Sequence, residues 1–254
     1  MRKIFAIALI FIAVTVAGLR CTDLKRDNPL DPANPESERS RIVLVEAFVN
    51  ESTPFTPFAL SALDEIAAQT SREQTLILQY HLPSANYADD LATAVAKTRY
   101  DFYVTQDQAV PDVFFNGLRQ RIQGAASQST ALKRYQTVLA REREATSHFT
   151  IEAKQQVAGG TLSVQVRLAR LGETAFTDFF VQAVAYEDIG TAGHHFVVRA
   201  VLPAESVRRL DAGEIAEIDF TAAVDTEVNP QSWQAVVFIQ QSSSKEIMQS
   251  TLAN

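Results

Sequence analysis

Ile42-Val43-Leu44-Val45-Glu46-Ala47-Phe48 is followed, after a polar interval, by Pro57-Phe58-Ala59-Leu60-Ser61-Ala62-Leu63-Asp64-Glu65-Ile66. The first run is short and almost wholly apolar, the pattern of a strand buried on both faces. In the second, Phe58, Ala62, Leu63 and Ile66 recur at spacings of three and four, which is one side of a helix, and Pro57 suits its first turn. Thr75 to Tyr80, TLILQY, is another apolar strand. Strand, helix and strand in this order predict a right-handed βαβ unit.

Further along, a helix is expected within Tyr87 to Phe102, with Tyr87, Leu91, Val95 and Thr98 or Phe102 inward. Asn116-Gly117 between two strand-like runs signals a hairpin. A last helix is expected over Ser127 to Glu144, with Arg141-Glu142-Arg143-Glu144 as a solvated face. These elements predict an α/β domain over residues 41–144.

From residue 147 the apolar period becomes two. Leu162, Val164, Val166 and Leu168 alternate with polar residues, as do Ile218, Phe220, Ala222 and Val224, and then Trp233, Ala235, Val237 and Ile239. Runs at 147–157, 176–187, 194–203 and 245–251 also read as strands, and Gly159-Gly160 as a hairpin turn. About seven strands, with one short helix at most (Ala204 to Leu210), predict an all-β immunoglobulin-like sandwich over 147–254.

Two stretches carry a resemblance. In Val45–Ala67, VEAFVNESTPFTPFALSALDEIA, a strand ending at Phe48 leads into Thr53-Pro54-Phe55-Thr56-Pro57 and a helix. Val110-Pro111-Asp112-Val113-Phe114-Phe115-Asn116-Gly117 then leads into the hairpin. Together they resemble thioredoxin-like proteins, with Thr53 and Thr56 at the two cysteine positions of C-x-x-C and Pro111 at the cis-proline that faces it. Tyr80-His81, the segments VAYEDIG and HHFVVRAVLP, and the terminal Lys245-Glu246-Ile247-Met248-Gln249 are similar to the Omp-twenty-eight-related outer-membrane lipoprotein family. That resemblance implies a thioredoxin-like domain, a closing β-sandwich and a place in the cell envelope.

The N-terminus agrees with export. Arg2 and Lys3 precede sixteen uncharged residues, Ile4 to Leu19, a signal-peptide core rather than a span, which needs roughly 20. Cys21 is the single cysteine and stands where a lipoprotein is acylated. Arg20 departs from the small residue that such signals prefer. An uncleaved anchor and ordinary cleavage after Ala17 are the competing readings. Residues 21–40, with Pro29, Pro32 and Pro35 among polar residues, read as a disordered tether.

Composition and motifs narrow the chemistry. The formal charge is −7, and losing Arg2, Lys3 and Arg20 with residues 1–20 makes it −10. Such a chain has no generic attraction for nucleic acid. Acylated Cys21 leaves no thiol, and a threonine hydroxyl ionises too weakly to replace a thiolate, even at a helix N-terminus. Thr53 or Thr56 is expected to cap the helix.

No metal or cofactor site is expected. His194-His195 reads as strand, whose neighbouring side chains point to opposite faces and cannot share an ion. His81 reads as a packed or loop histidine, Glu46 as a partly buried strand carboxylate, and Glu187-Asp188 as a turn. Asn50-Glu51-Ser52 has the form of a glycosylation acceptor but is read as coincidence. No catalytic residue is assigned.

The expectation is a non-enzymatic envelope lipoprotein, anchored to the outer membrane by its lipid. A loop of Pro54, Phe55 and Pro111 would bind a protein or peptide. The alternatives are a periplasmic thiol–disulfide enzyme that borrows a partner's cysteine, and a secreted structural module with the sandwich as sorting domain.

Overall fold

A computed structural model describes residues 34, 37–172, 174–224 and 232–254. The signal core, Cys21 and most of the tether lie outside them. The strands are β1 (Arg39–Ser40), β2 (Val43–Val49), β3 (Thr75–His81), β4 (Asp112–Phe115), β5 (Gln120–Gln123), β6 (Thr146–Ser147) and β7 (Phe149–Ala158). They continue as β8 (Thr161–Arg170), β9 (Phe176–Glu187), β10 (Val197–Val201), β11 (Glu205–Leu210), β12 (Ile215–Ala223), β13 (Trp233–Gln241) and β14 (Ile247–Leu252). The helices among the described residues are α1 (Thr56–Gln69), α2 (Ala94–Tyr103) and α3 (Gln128–Glu142). None is long and apolar enough to cross a membrane.

The first half has the expected element order. β2 and β3 are parallel across α1, and β4 and β5 form the antiparallel hairpin at Asn116-Gly117, with β4 antiparallel to β2. The side chains of Ser127 and Thr93 cap α3 and α2 by accepting the N–H of Thr130 and Ala96.

The expected division into an α/β thioredoxin-like domain and a separate immunoglobulin-like sandwich does not hold. The molecule is mostly β, and a nine-stranded sheet runs through both halves in the order β14-β13-β9-β10-β3-β2-β4-β5, with β11 also on β9. The join is at β10 and β3, where Gln79 donates its N–H to Phe196 O at 2.8 Å. A second sheet, β12-β8-β7, packs on the second-half strands. Hydrophobic periodicity identifies strands one at a time but does not encode which of them become neighbours.

The cores follow this layout. One lies between the second sheet and β9 and β13, around Leu162, Val164, Phe179, Val181, Phe220 and Trp233. Another lies between β2–β4 and the pair α1 and α3. The third spans the halves: Leu44, Phe48, Tyr80, Tyr100 and Phe114 pack with Val184, Tyr186, Val236, Phe238 and Ile247. Phe48 stacks between Tyr80 and Tyr100, centroids 4.8 and 4.7 Å away.

Three local expectations change. The inward face of α2 is Ala96, Arg99, Tyr100 and Tyr103, because Arg99 is buried as an ion-pair partner of Glu46. Glu142 is buried, not solvated, and accepts from Asn116 Nδ2 at 3.0 Å and Arg119 Nε at 2.8 Å. Glu205–Leu210 is strand β11, not helix, because it completes the sheet beside β9.

Candidate functional site

The widest apolar cleft described lies beyond the carboxyl end of β2. Its volume is about 440 Å³, and Asn50, Thr53, Pro54, Phe55, Leu82, Tyr87, Tyr100 and Val110 are among its lining residues. Three loops form it, following β2, β3 and α2. Phe55 is 51% exposed and Tyr87 44%, so each offers an aromatic face to solvent.

Each loop is pinned from below. The buried amide of Asn50 donates from Nδ2 to Leu82 O at 2.9 Å and Tyr87 O at 3.1 Å, and its Oδ1 accepts the N–H of Ser52 at 3.2 Å. One side chain thus ties the first loop to the second, and the acceptor-like Asn50-Glu51-Ser52 has its amide committed inside. The third loop is held by the hydroxyl of Tyr100, which donates to Asp112 Oδ2 at 2.7 Å and accepts from the N–H of Ala109 at 3.2 Å. Burial and the Asp112 carboxylate push the Tyr100 phenol well above its ordinary range. Arg121 donates to Asp112 from Nε and NH2, and from NH2 to Asp107 O at 3.0 Å.

Thr53 and Thr56 come together as the sequence placed them, but neither caps α1. Their hydroxyl oxygens are 2.7 Å apart, and Thr53 Oγ1 also donates to Asn50 O at 2.9 Å. The cap position is Phe55, with no side-chain hydrogen bond, and Pro57 in the first turn removes one N–H that a cap would otherwise satisfy. The pair is two hydroxyls bonded to each other and to the turn, and these oxygens form no disulfide.

Val110–Pro111 is a cis peptide. Pro111 itself is buried and does not line the cleft; Val110 does. Among the described residues, neither the N–H nor the C=O of Val110 has a hydrogen-bond partner. A free backbone donor and acceptor at a cleft wall suit a strand-like guest. Of the expected loop, Pro54 and Phe55 line the cleft, while Pro111 shapes its wall from inside. Leu82 carries no sequence signal for the cleft, Tyr87 reads from sequence as an inward helical residue, and Val110 only as the residue before Pro111. Their role arises from three loops meeting, for which no local pattern exists.

The histidines lie elsewhere. His194 and His195 precede β10 in a loop rather than in a strand. Their rings still diverge, His195 Nδ1 lying 2.9 Å from Asp188 Oδ1 while His194 faces His81. Among the described residues, no three His, Cys, Asp or Glu side chains stand close enough to share a metal ion.

The chain shares its fold with two solved bacterial proteins. A structural-genomics protein of Agrobacterium tumefaciens superposes with a TM-score of 0.54 over 85% of this chain and 95% of its own, at 16% identity. HBP35 of Porphyromonas gingivalis superposes with 0.64 over 84% of this chain and 74% of its own, at 10% identity. Likeness at these identities is one of fold alone. A domain of the outer membrane lipoprotein Omp28 from Porphyromonas gingivalis matches 42% of this chain and 86% of its own at 16% identity, with a TM-score of 0.34. No protein-family model matches the sequence, and no curated protein matches it either.

Proposed function

We propose that this chain is a non-enzymatic binding module of the cell envelope, held at a membrane by a lipid on Cys21, which captures an extended peptide segment in the three-loop cleft. The observation that carries the binding role is the cleft itself: exposed Phe55 and Tyr87 beside the unpaired backbone of Val110. The aromatic faces would take an apolar side chain of the guest, and Val110 would pair with its backbone. Loops tied down by Asn50, Tyr100 and Arg121 lose little conformational entropy on binding, which favours affinity.

The absence of redox chemistry in this reading rests on the paired hydroxyls of Thr53 and Thr56 and on a single cysteine in the chain. The membrane tether rests on the uncharged run Ile4 to Leu19 before Cys21.

Two measurements test the reading. A library of displayed extended peptides, selected on the protein, should yield apolar-centred sequences that bind wild type and lose affinity for Phe55→Ala. Indifference of every selected peptide to Phe55 and Tyr87 would remove the cleft from the function. Intact mass of the membrane-extracted protein should match residues 21–254 plus acyl chains, and a mass retaining Met1 to Arg20 would exclude lipidation.

A further inference from the structure

The three-loop cleft carries one charge on its wall. Among the described residues that line it, no side chain is a carboxylate, and Lys97 is the one charged group. Lys97 and Tyr100 stand one turn apart on α2, so the helix presents both to the cleft. Asn50, Thr53, Tyr100 and Gln108 spend their donors within the protein. The first three bond as described above, and Gln108 Nε2 donates to Asp101 Oδ1 at 2.7 Å and to Val104 O at 2.6 Å.

Lys97 keeps donors to spare. Its ion-pair partner among the described residues is Asp101, one turn further along α2, and both side chains are nearly half-exposed. An ammonium has three N–H donors, and Asp101 Oδ1 accepts one of them, so two remain. An exposed pair of this kind contributes little to stability, and Gln108 shares the Asp101 carboxylate. Lys97 also stands in the first turn of α2, at the end where the helix dipole favours anions over cations. A lysine there opposes its own helix, and the helix end and the ammonium both attract a negative group.

We propose that the guest of this cleft is an acidic extended peptide, with an apolar side chain against Phe55 and Tyr87 and, beside it, one Asp or Glu whose carboxylate takes the free N–H groups of Lys97. This inference rests on the peptide-capture reading above and adds the charge of the guest to it. In an apolar cleft a few polar groups set orientation and specificity, and a lone ammonium selects a carboxylate over an amide and rejects a cation. The chain as a whole is acidic, with a formal charge of −7, so beyond the cleft it repels anions. A single acid next to the apolar anchor, rather than an acidic run, is the composition that fits, because only the near charge of Lys97 escapes screening.

The test is selection of displayed extended peptides, with a fixed central Leu and randomised flanks, on the full chain and on Lys97→Gln and Lys97→Glu, each shown to be folded by circular dichroism. Wild type should enrich Asp or Glu at one flanking position. Lys97→Gln should lose that enrichment, and Lys97→Glu should replace it with Lys or Arg. In a labelled peptide from the wild-type selection, changing that acid to its amide should weaken binding about 3- to 10-fold. Added salt should narrow the difference, and Lys97→Gln should bind both forms alike. Peptides that depend on Phe55 but show no acidic preference would overturn the acidic guest and leave peptide capture standing. An acidic preference that persists unchanged in folded Lys97→Gln would overturn Lys97 as the group that reads it. A selection without any Phe55-dependent peptide would overturn peptide capture and this inference with it.

Discussion

Arg99 holds both carboxylate oxygens of Glu46, Nε to Oε1 at 2.9 Å and NH2 to Oε2 at 3.1 Å, in the interior between β2 and α2. The phenol of Tyr103 donates to Glu46 Oε2 at 2.5 Å and accepts from Arg99 at 2.5 Å. Arg99 NH1 reaches Gln240 Oε1 on β13 at 2.9 Å, and its guanidinium carbon lies 4.6 Å from the centre of the Tyr103 ring. Three elements from both halves therefore close on one buried cation.

Breaking this pair from one side strands a buried charge. Arg99→Met should destabilise the protein by about 3–5 kcal/mol in urea unfolding. Glu46→Leu with Arg99→Met should cost less than Arg99→Met alone, because no charge is then left unpaired. A double variant no more stable than Arg99→Met alone would refute this account.

Gly117 has φ +67°, and a Cβ there would sit 2.1 Å from Lys245 O. The hairpin tip is locked to the second half by Ile247 N–H to Asn116 O at 3.0 Å and Leu118 N–H to Lys245 O at 3.3 Å. Gly117→Ala should cost about 2–4 kcal/mol, from backbone strain and from displacing Lys245. Gly124→Ala, with open space around its Cβ, should cost less. Equal midpoints for the two variants in thermal unfolding would contradict the docking.

Burial lowers the pKa of His81, against the opposing pull of Asp89; His194 and Glu51 also face it. Its folded value lies below its unfolded value, so the unfolded chain binds the extra proton. The neutral-imidazole stabilisation is present above the unfolded pKa of about 6.5 and is lost as pH falls from there through the lower folded value. Urea stability should therefore decline as pH falls below about 6.5. His81→Asn keeps a donor near Asp89 without the titration and should flatten that slope. An unchanged slope would assign the decline to other groups.

Phe55 is half-exposed and its side chain caps nothing. Phe55→Ala should leave stability within about 0.5 kcal/mol. Affinity for a selected peptide should fall about 5- to 30-fold, the usual cost of removing an aromatic anchor. Fluorescence anisotropy with a labelled peptide reads the second quantity and urea unfolding the first. Large destabilisation with unchanged affinity would make Phe55 a structural residue.

The sequence by itself determined the elements. Val43–Val49 reads as a buried strand because nearly every side chain is apolar, and Phe149–Ala158 and Thr161–Arg170 turn at Gly159-Gly160, both with positive φ, because few other residues tolerate that conformation. It also placed Thr53, Pro54, Phe55 and Thr56 in one turn and ruled out an intrachain disulfide. These are local properties, fixed by periods of two and 3.6 and by turn chemistry.

Tertiary structure alone decided which strands became neighbours, and so merged two expected domains into one sheet through β3 and β10. It alone buried Arg99 and Glu142, because a charge enters a core only when a partner from elsewhere awaits it. It alone set His81 against His194, and Leu82 and Tyr87 opposite Phe55. Such contacts join residues far apart in the chain, and no local pattern in a single sequence records that meeting.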